Sequence, residues 1–354
     1  EVFGVRTLQE LVDHLNGTCK INPVEKNDFY KTDISPEVDF ADIKGQEMAK
    51  RAMEIAAAGG HNVLLIGPPG AGKSMLSKAL AGILPDMTKE ETLETTNVYS
   101  VAGMLDDKAP LILRRPVRSP HHTVSHVGMV GGGVNPNPGE VTLAHNGVLF
   151  LDEFPEFEKK TLEALRQPLE DGKITVTRAG YKITYPSKVM LVGAMNPCPC
   201  GYFGSTQKLC SCTHSQVKKY ISKISGPLLD RIDIQIEVPA ITFDEMTDGE
   251  RGESSAEVKA RVNRAVLFRH ERLSKLSLSE EDSEKHENCE FTPEADAVLE
   301  RAFNALNLSA RGYTRVVKVA RTIADLDESY KVLPCHVHEA IQLRSLDRKY
   351  FANS

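Results

Sequence analysis

Residues 62–84 read NVLLIGPPGAGKSMLSKALAGIL, and no other stretch narrows the possible folds as much. A short, wholly apolar segment is the pattern of a strand buried on both faces of a parallel sheet. It runs directly into G-x-x-x-x-G-K-S, and that loop runs directly into a helical segment. The loop Gly67, Pro68, Pro69, Gly70, Ala71 and Gly72 therefore reads as a phosphate cradle at a helix N-terminus. Its backbone N–H groups can turn inward, and the helix dipole favours anions. Lys73 is placed to reach β- and γ-phosphates, and the Ser74 hydroxyl to ligate Mg²⁺. A chance glycine turn would lack the flanking strand and helix.

Two further apolar strands follow, GVLFLDE at 147–153 and KVMLVGAMN at 188–196, with helical segments between them. Strands alternating with helices predict an α/β domain built on a parallel sheet. Asp152 ends the second strand, where it can hold the Mg²⁺ shell, and Glu153 beside it can polarise an attacking water. Asn196 ends the third, where its amide can orient that water against a γ-phosphate. Together these residues predict ATP hydrolysis. Arg231, in SGPLLDRIDI, is the candidate arginine finger; a surface arginine paired with Asp230 or Asp233 is the alternative. In LSARGYTRVVKVAR, Arg311 or Arg315 is the candidate for a further contact to the γ-phosphate from the same chain, an ordinary basic helix face being the alternative.

At 354 residues the chain is long enough for two or three domains, and 41% apolar with 26% charged residues suits a globular core. No apolar run approaches the roughly 20 residues that span a membrane. The segment EVFGVRTLQELVDHLNG is amphipathic, with no signal-peptide core, and lacks an initiator Met, which suggests an excised fragment. The expected organisation is an N-terminal helix and linker over 1–39, an α/β nucleotide-binding domain over 40–241, and an all-helical domain over 242–354. Seven cysteines, an odd number, do not suit a secreted disulfide framework, so a reducing, cytoplasmic setting is expected.

A net charge of −6 argues against a generally basic nucleic-acid coat. Any nucleic-acid contact must come from local clusters. GKITVTRAGYKITYPS at 172–187 alternates on both sides of Ala179-Gly180, which predicts a hairpin. It carries Lys173, Arg178 and Lys182, with Lys188 at its exit and no acid between 173 and 188. The Gly- and Pro-rich stretch 127–147 is a second candidate insertion, and Arg114, Arg115, Arg118, His121 and His122 form a second basic cluster. The adjacent histidines are not spaced as helix metal ligands.

Behind Asn196 lie Cys198, Cys200, Cys210 and Cys212, spaced C-x-C-x₉-C-x-C. Four thiolates with a glycine-containing fold-back suit a structural zinc, although C-x₂-C is the more usual spacing. His214 is a possible substitute ligand; reduced surface cysteines are the plain alternative. Cys19, Cys289 and Cys335 are scattered and read as ordinary thiols.

These segments, with RRPVRSPHHTVSHVGMVGGGVNPNPGEVTLAHNGVLFLDE and NPCPCGYFG, resemble the AAA+ ATPases of the magnesium-chelatase-like group, on its ComM-like (YifB-like) branch. The resemblance extends over about residues 40 to 345. It implies Lys73 and Ser74 as Walker A, Asp152 and Glu153 as Walker B, Asn196 as sensor 1, Arg231 as arginine finger, and Arg311 or Arg315 as sensor 2. It also implies a hexameric ring that acts as a DNA helicase, single-stranded or branched DNA being the partner, in branch migration during natural transformation. Residues 1–17 would be the last helix of a Lon-protease-like domain. The rival expectation is a chelatase-type or protein-remodelling ATPase whose ring moves a protein partner, which Tyr181 in the hairpin would suit.

Overall fold

The apolar strands set the architecture. A computed structural model describes residues 2–23, 37–106, 110–133, 137–178, 181–205, 208–247, 251–278, 286–344, 346 and 350. The chain divides into two compact units, Glu1–Ile34 and Ser35–Ser354. The first holds α1 (Leu8–Leu15), opened by a capping box between Thr7 and Glu10 and burying none of its residues.

The second unit begins with α2 (Glu47–Gly59), β1 (Val63–Ile66), α3 (Lys73–Ile83), α4 (Lys89–Val101) and β2 (Val117–Arg118). Two short helices, α5 (His126–Val130) and α6 (Glu140–Leu143), occupy the Gly/Pro-rich insertion and lead to β3 (Val148–Leu151). Then come α7 (Lys159–Ala164), α8 (Arg166–Asp171), the hairpin strands β4 (Lys173–Arg178) and β5 (Tyr181–Pro186), and β6 (Met190–Met195). After α9 (His214–Ile221) and α10 (Gly226–Leu229), β7 (Ile234–Glu237) completes the sheet. Helices α11 (Phe243–Thr247), α12 (Ser255–Leu276), α13 (Pro293–Leu306), α14 (Ala310–Leu326) and α15 (Pro334–Gln342) follow.

The main sheet has the order β2-β3-β6-β1-β7, every pair parallel. Its three central strands, β3, β6 and β1, are apolar throughout because both faces are covered, whereas the edge strands β2 and β7 carry Arg118, Gln235 and Glu237. Val63, Leu65, Val148, Phe150 and Val192 turn to one core, and Leu64, Ile66, Leu149, Leu151 and Leu191 to the other. The first core also takes in Val258, Val262, Val316 and Ala320, so the C-terminal helices cover the same sheet face as α2 and α3. The expected α/β core followed by helices is what the structure shows. No helix among the described residues is long and apolar enough to cross a membrane.

The hairpin forms as its alternation predicts, with Lys173 opposite Pro186 and Thr177 opposite Lys182. Ile174 and Tyr185 are buried, while Lys173 and Lys182 are exposed. Ala179-Gly180, the expected turn, lies outside the described residues, as do the side chains of Arg178 and Tyr181.

Candidate active site

Parallel pairing brings the three predicted strand ends to one edge. Strand β6 lies between β1 and β3, so Asn196 sits between the phosphate loop and the Asp152–Glu153 pair. A cavity of about 590 Å³ opens there, lined by residues 69–75, Ser119, Pro120, His121, His122, Asp152, Glu153, Met195 and Asn196. Gly67 has to be glycine for packing: a Cβ there would stand 2.2 Å from the Val238 carbonyl oxygen. Gly72 caps α3 in the left-handed region (φ 89°) without a side-chain acceptor, which leaves the first turn of the helix to a ligand.

Lys73 donates from Nζ to the carbonyls of Gly67 (2.7 Å) and Pro68 (2.8 Å) and to Asn196 Oδ1 (3.2 Å). Burial lowers its pKa to about 8, opposed in part by the Asp152 carboxylate. Ser74 Oγ donates to Asp152 Oδ2 at 2.8 Å, so the two expected Mg²⁺ ligands already meet. Hard oxygen donors, a hydroxyl and a carboxylate, suit that ion. Glu153 holds a left-handed backbone (φ 51°), and Nδ1 of His122 lies 3.1 Å from its Oε2. The His121 and His122 rings lie 4.1 Å apart, tilted by 34°. Their place in the cavity was visible in sequence only as part of a basic cluster, because nothing local shows that the turn after β2 meets the end of β3. Two other members of that cluster are tied elsewhere. Arg115 pairs with Glu91 (2.8 Å) and Arg118 with Glu140 (2.7 Å).

The three distal arginines do not line this cavity. Arg231 is buried, donating to the Pro227 carbonyl at 2.5 Å and paired with Glu170. It lines a second cavity of about 720 Å³ between α5, α8 and the hairpin. The partner is thus Glu170, not the neighbouring aspartates. Arg311 is 57% exposed, 3.7 Å from Asp230 and 4.0 Å from Glu170. Arg315 pairs at 2.7 Å with Asp233, just before β7, on the far side of β1 from Asn196. Neither Arg311 nor Arg315, the candidates for a γ-phosphate contact from the same chain, lines the cavity, and Arg315 on α14 is drawn to a buried carboxylate. Desolvation opposes the charge on Asp233, but the His61 ring and the Arg315 guanidinium hold it well below the usual carboxylate range.

Cys198, Cys200, Cys210 and Cys212 converge, all four sulfurs lying within 4.8 Å of one another. Cys198 Sγ is 3.3 Å from Cys200 Sγ and 3.7 Å from Cys210 Sγ, with Cys200 and Cys210 3.5 Å apart. A tetrahedral zinc with bonds of about 2.3 Å requires sulfurs about 3.8 Å apart, so the cluster can hold a metal such as zinc. Desolvation opposes charge on Cys200, but N–H groups of Tyr202 and Ser211 pull its pKa down to about 5. Cys210 receives the Cys212 N–H, yet desolvation and the neighbouring sulfurs push it up to about 12. The surroundings thus favour charge on Cys200 and disfavour it on Cys210 and Cys212. His214 stands outside this group, its ring against Phe203. Cys289 is buried and Cys19 and Cys335 are exposed.

The family described as magnesium chelatase, subunit ChlI, matches residues 39–246, and its C-terminal part matches 252–344. Competence protein ComM of Haemophilus influenzae is 43% identical over 350 residues, 98% of this chain and 68% of that protein. YifB of Escherichia coli is 46% identical over 314 residues, 88% of this chain and 61% of that protein. The magnesium-chelatase 38 kDa subunit of Rhodobacter capsulatus is 31% identical over 181 residues, 46% of this chain and 51% of that protein. The chain therefore spans 61–68% of the length of the ComM and YifB relatives.

Proposed function

The chain belongs to the magnesium chelatase subunit ChlI family of AAA+ ATPases, and we propose that it is the motor part of a cytoplasmic hexameric ring that hydrolyses ATP to move on DNA. The ComM-like reading makes this a helicase for branch migration in natural transformation. The relationship to competence protein ComM supports it.

In this reading the cradle of residues 67–72 and Lys73 grip the triphosphate. Ser74 and Asp152 would hold Mg²⁺, which bridges phosphate oxygens and neutralises developing charge. Glu153 polarises the attacking water and Asn196 orients it. Arg231 reaches the nucleotide of a neighbouring subunit, and Arg311 or Arg315 supplies the second arginine. The four cysteines hold one structural zinc.

The observation that carries the DNA reading is the hairpin. Lys173 and Lys182 stand exposed on it, Arg178 ends β4, and Lys188 is exposed at its exit, all in a chain of net charge −6. Six copies around a channel concentrate that charge, giving sequence-independent, salt-sensitive contact with phosphates. The test is ATPase rate and binding with single-stranded and branched DNA across a salt series. Replacing Lys173, Arg178 and Lys182 with alanine should flatten the log–log salt dependence by about 2 on single strands. Undiminished binding would remove the hairpin as the grip. An assembled ring with neither DNA binding nor DNA stimulation would favour the chelatase-type, protein-remodelling reading, which the Rhodobacter likeness supports.

A further inference from the structure

The cysteine cluster and the phosphate loop touch. Gly201, directly after Cys200, is in the left-handed region (φ +86°), and a Cβ there would stand 2.6 Å from Pro69 Cδ and 2.8 Å from Cγ. Pro69 lines the nucleotide cavity, and the preceding Pro68 offers its carbonyl to Lys73. Gly201 is in turn held from the cluster side, since its N–H donates to the Cys198 carbonyl at 2.9 Å. A second link runs along the chain. Cys198 is fully buried two residues after Asn196, whose Oδ1 accepts from Lys73. The hydroxyl of Tyr220, on α9 just beyond the cysteines, meets the Asn196 backbone. Two of the groups that grip a phosphate are thus backed by one small loop.

We propose that metal bound by Cys198, Cys200, Cys210 and Cys212 is a brace for the nucleotide site, seating Gly201 against Pro69 and so setting nucleotide affinity. The cofactor is a thiophilic divalent ion of the zinc class. The proposal rests on the zinc reading above. A loop this small has no core of its own, so its shape depends on the cross-link. Four unlinked sulfurs in contact are free to part, and Gly201 then leaves Pro69. Phosphate loops bind through several N–H groups at fixed angles, so a shift of Pro69 misdirects more than one of them.

Zinc content by elemental analysis and ADP affinity by calorimetry, both on the whole chain, test it. The chain should carry about one zinc, and its removal with a chelator should weaken ADP binding by about tenfold, restored when Zn²⁺ is returned. Gly201→Ala should keep its zinc and still lose about tenfold in ADP affinity, because the added methyl meets Pro69. This second variant separates bracing from unfolding. A zinc-loaded chain whose ADP affinity survives both chelation and Gly201→Ala would overturn the brace while leaving the zinc reading intact. A chain that takes up no zinc on titration would overturn both. ADP binding missing even from the zinc-loaded chain would instead overturn the nucleotide-site assignment.

Discussion

The nucleotide cavity and the arginine face are built by opposite means. In the cavity, Lys73 bonds Asn196 and Ser74 bonds Asp152 across three adjacent strands, all within a single chain. At the other face Arg231, Arg311 and Arg315 are each held by a carboxylate, Glu170, Asp230 or Asp233. A buried cation such as Arg231 is costly to leave unpaired, and its carboxylate partner compensates it. One region is complete within a chain. On the proposed reading, Arg231 in the other acts on the nucleotide of a second copy of the chain.

The largest effect belongs to Arg231. Arg231→Ala should lower ATPase turnover by about 10³-fold or more while leaving nucleotide affinity of the unassembled chain unchanged. Mixed with Lys73→Ala chains, it should recover part of the activity, because an intact cavity then meets an intact arginine. Failure of the mixture to recover would mean that both regions serve the same chain.

Asp233→Asn asks whether the arginine face is also structural. Removing one partner of a buried pair costs about 3–5 kcal/mol, which denaturant unfolding would read directly. Because Asp233 sits well below the usual carboxylate range, its contribution is present above about pH 4 and is lost as the pH falls further. Stability unchanged in the variant would make the Arg315 contact incidental.

The smallest effect is a pH dependence in the cavity. Lys73 is charged below about pH 8 and loses its proton above it. Nucleotide affinity should therefore fall by up to about tenfold per unit as pH rises from 8 to 10. Calorimetry at pH 7, 8 and 9 checks this, and a flat profile would mean Lys73 stays protonated without nucleotide.

Residues whose roles follow from local pattern are legible in the sequence itself. A four-residue apolar strand ending in a glycine loop or a carboxylate pair states its neighbours' chemistry in one dimension, which is why Lys73, Ser74, Asp152 and Asn196 meet as expected. The hairpin is legible for the same reason, its alternation recording one buried face. His122 is not. It follows a two-residue strand, Val117–Arg118, too short to leave a periodic signal, and its contact with Glu153 depends on the pairing of β2 with β3. Glu170 is equally hidden, because its pairing with Arg231 joins α8 to the turn before β7 across 61 residues.

Sequence alone therefore determined the fold class, the nucleotide-binding loop and the cysteine group, each a property of residues close along the chain. Only the tertiary structure decided which partners hold the arginines, that the histidines turn into the cavity, and that Gly201 rests on Pro69. Those contacts depend on strand order and on close approach between distant segments. Packing sets both, and no local pattern records them.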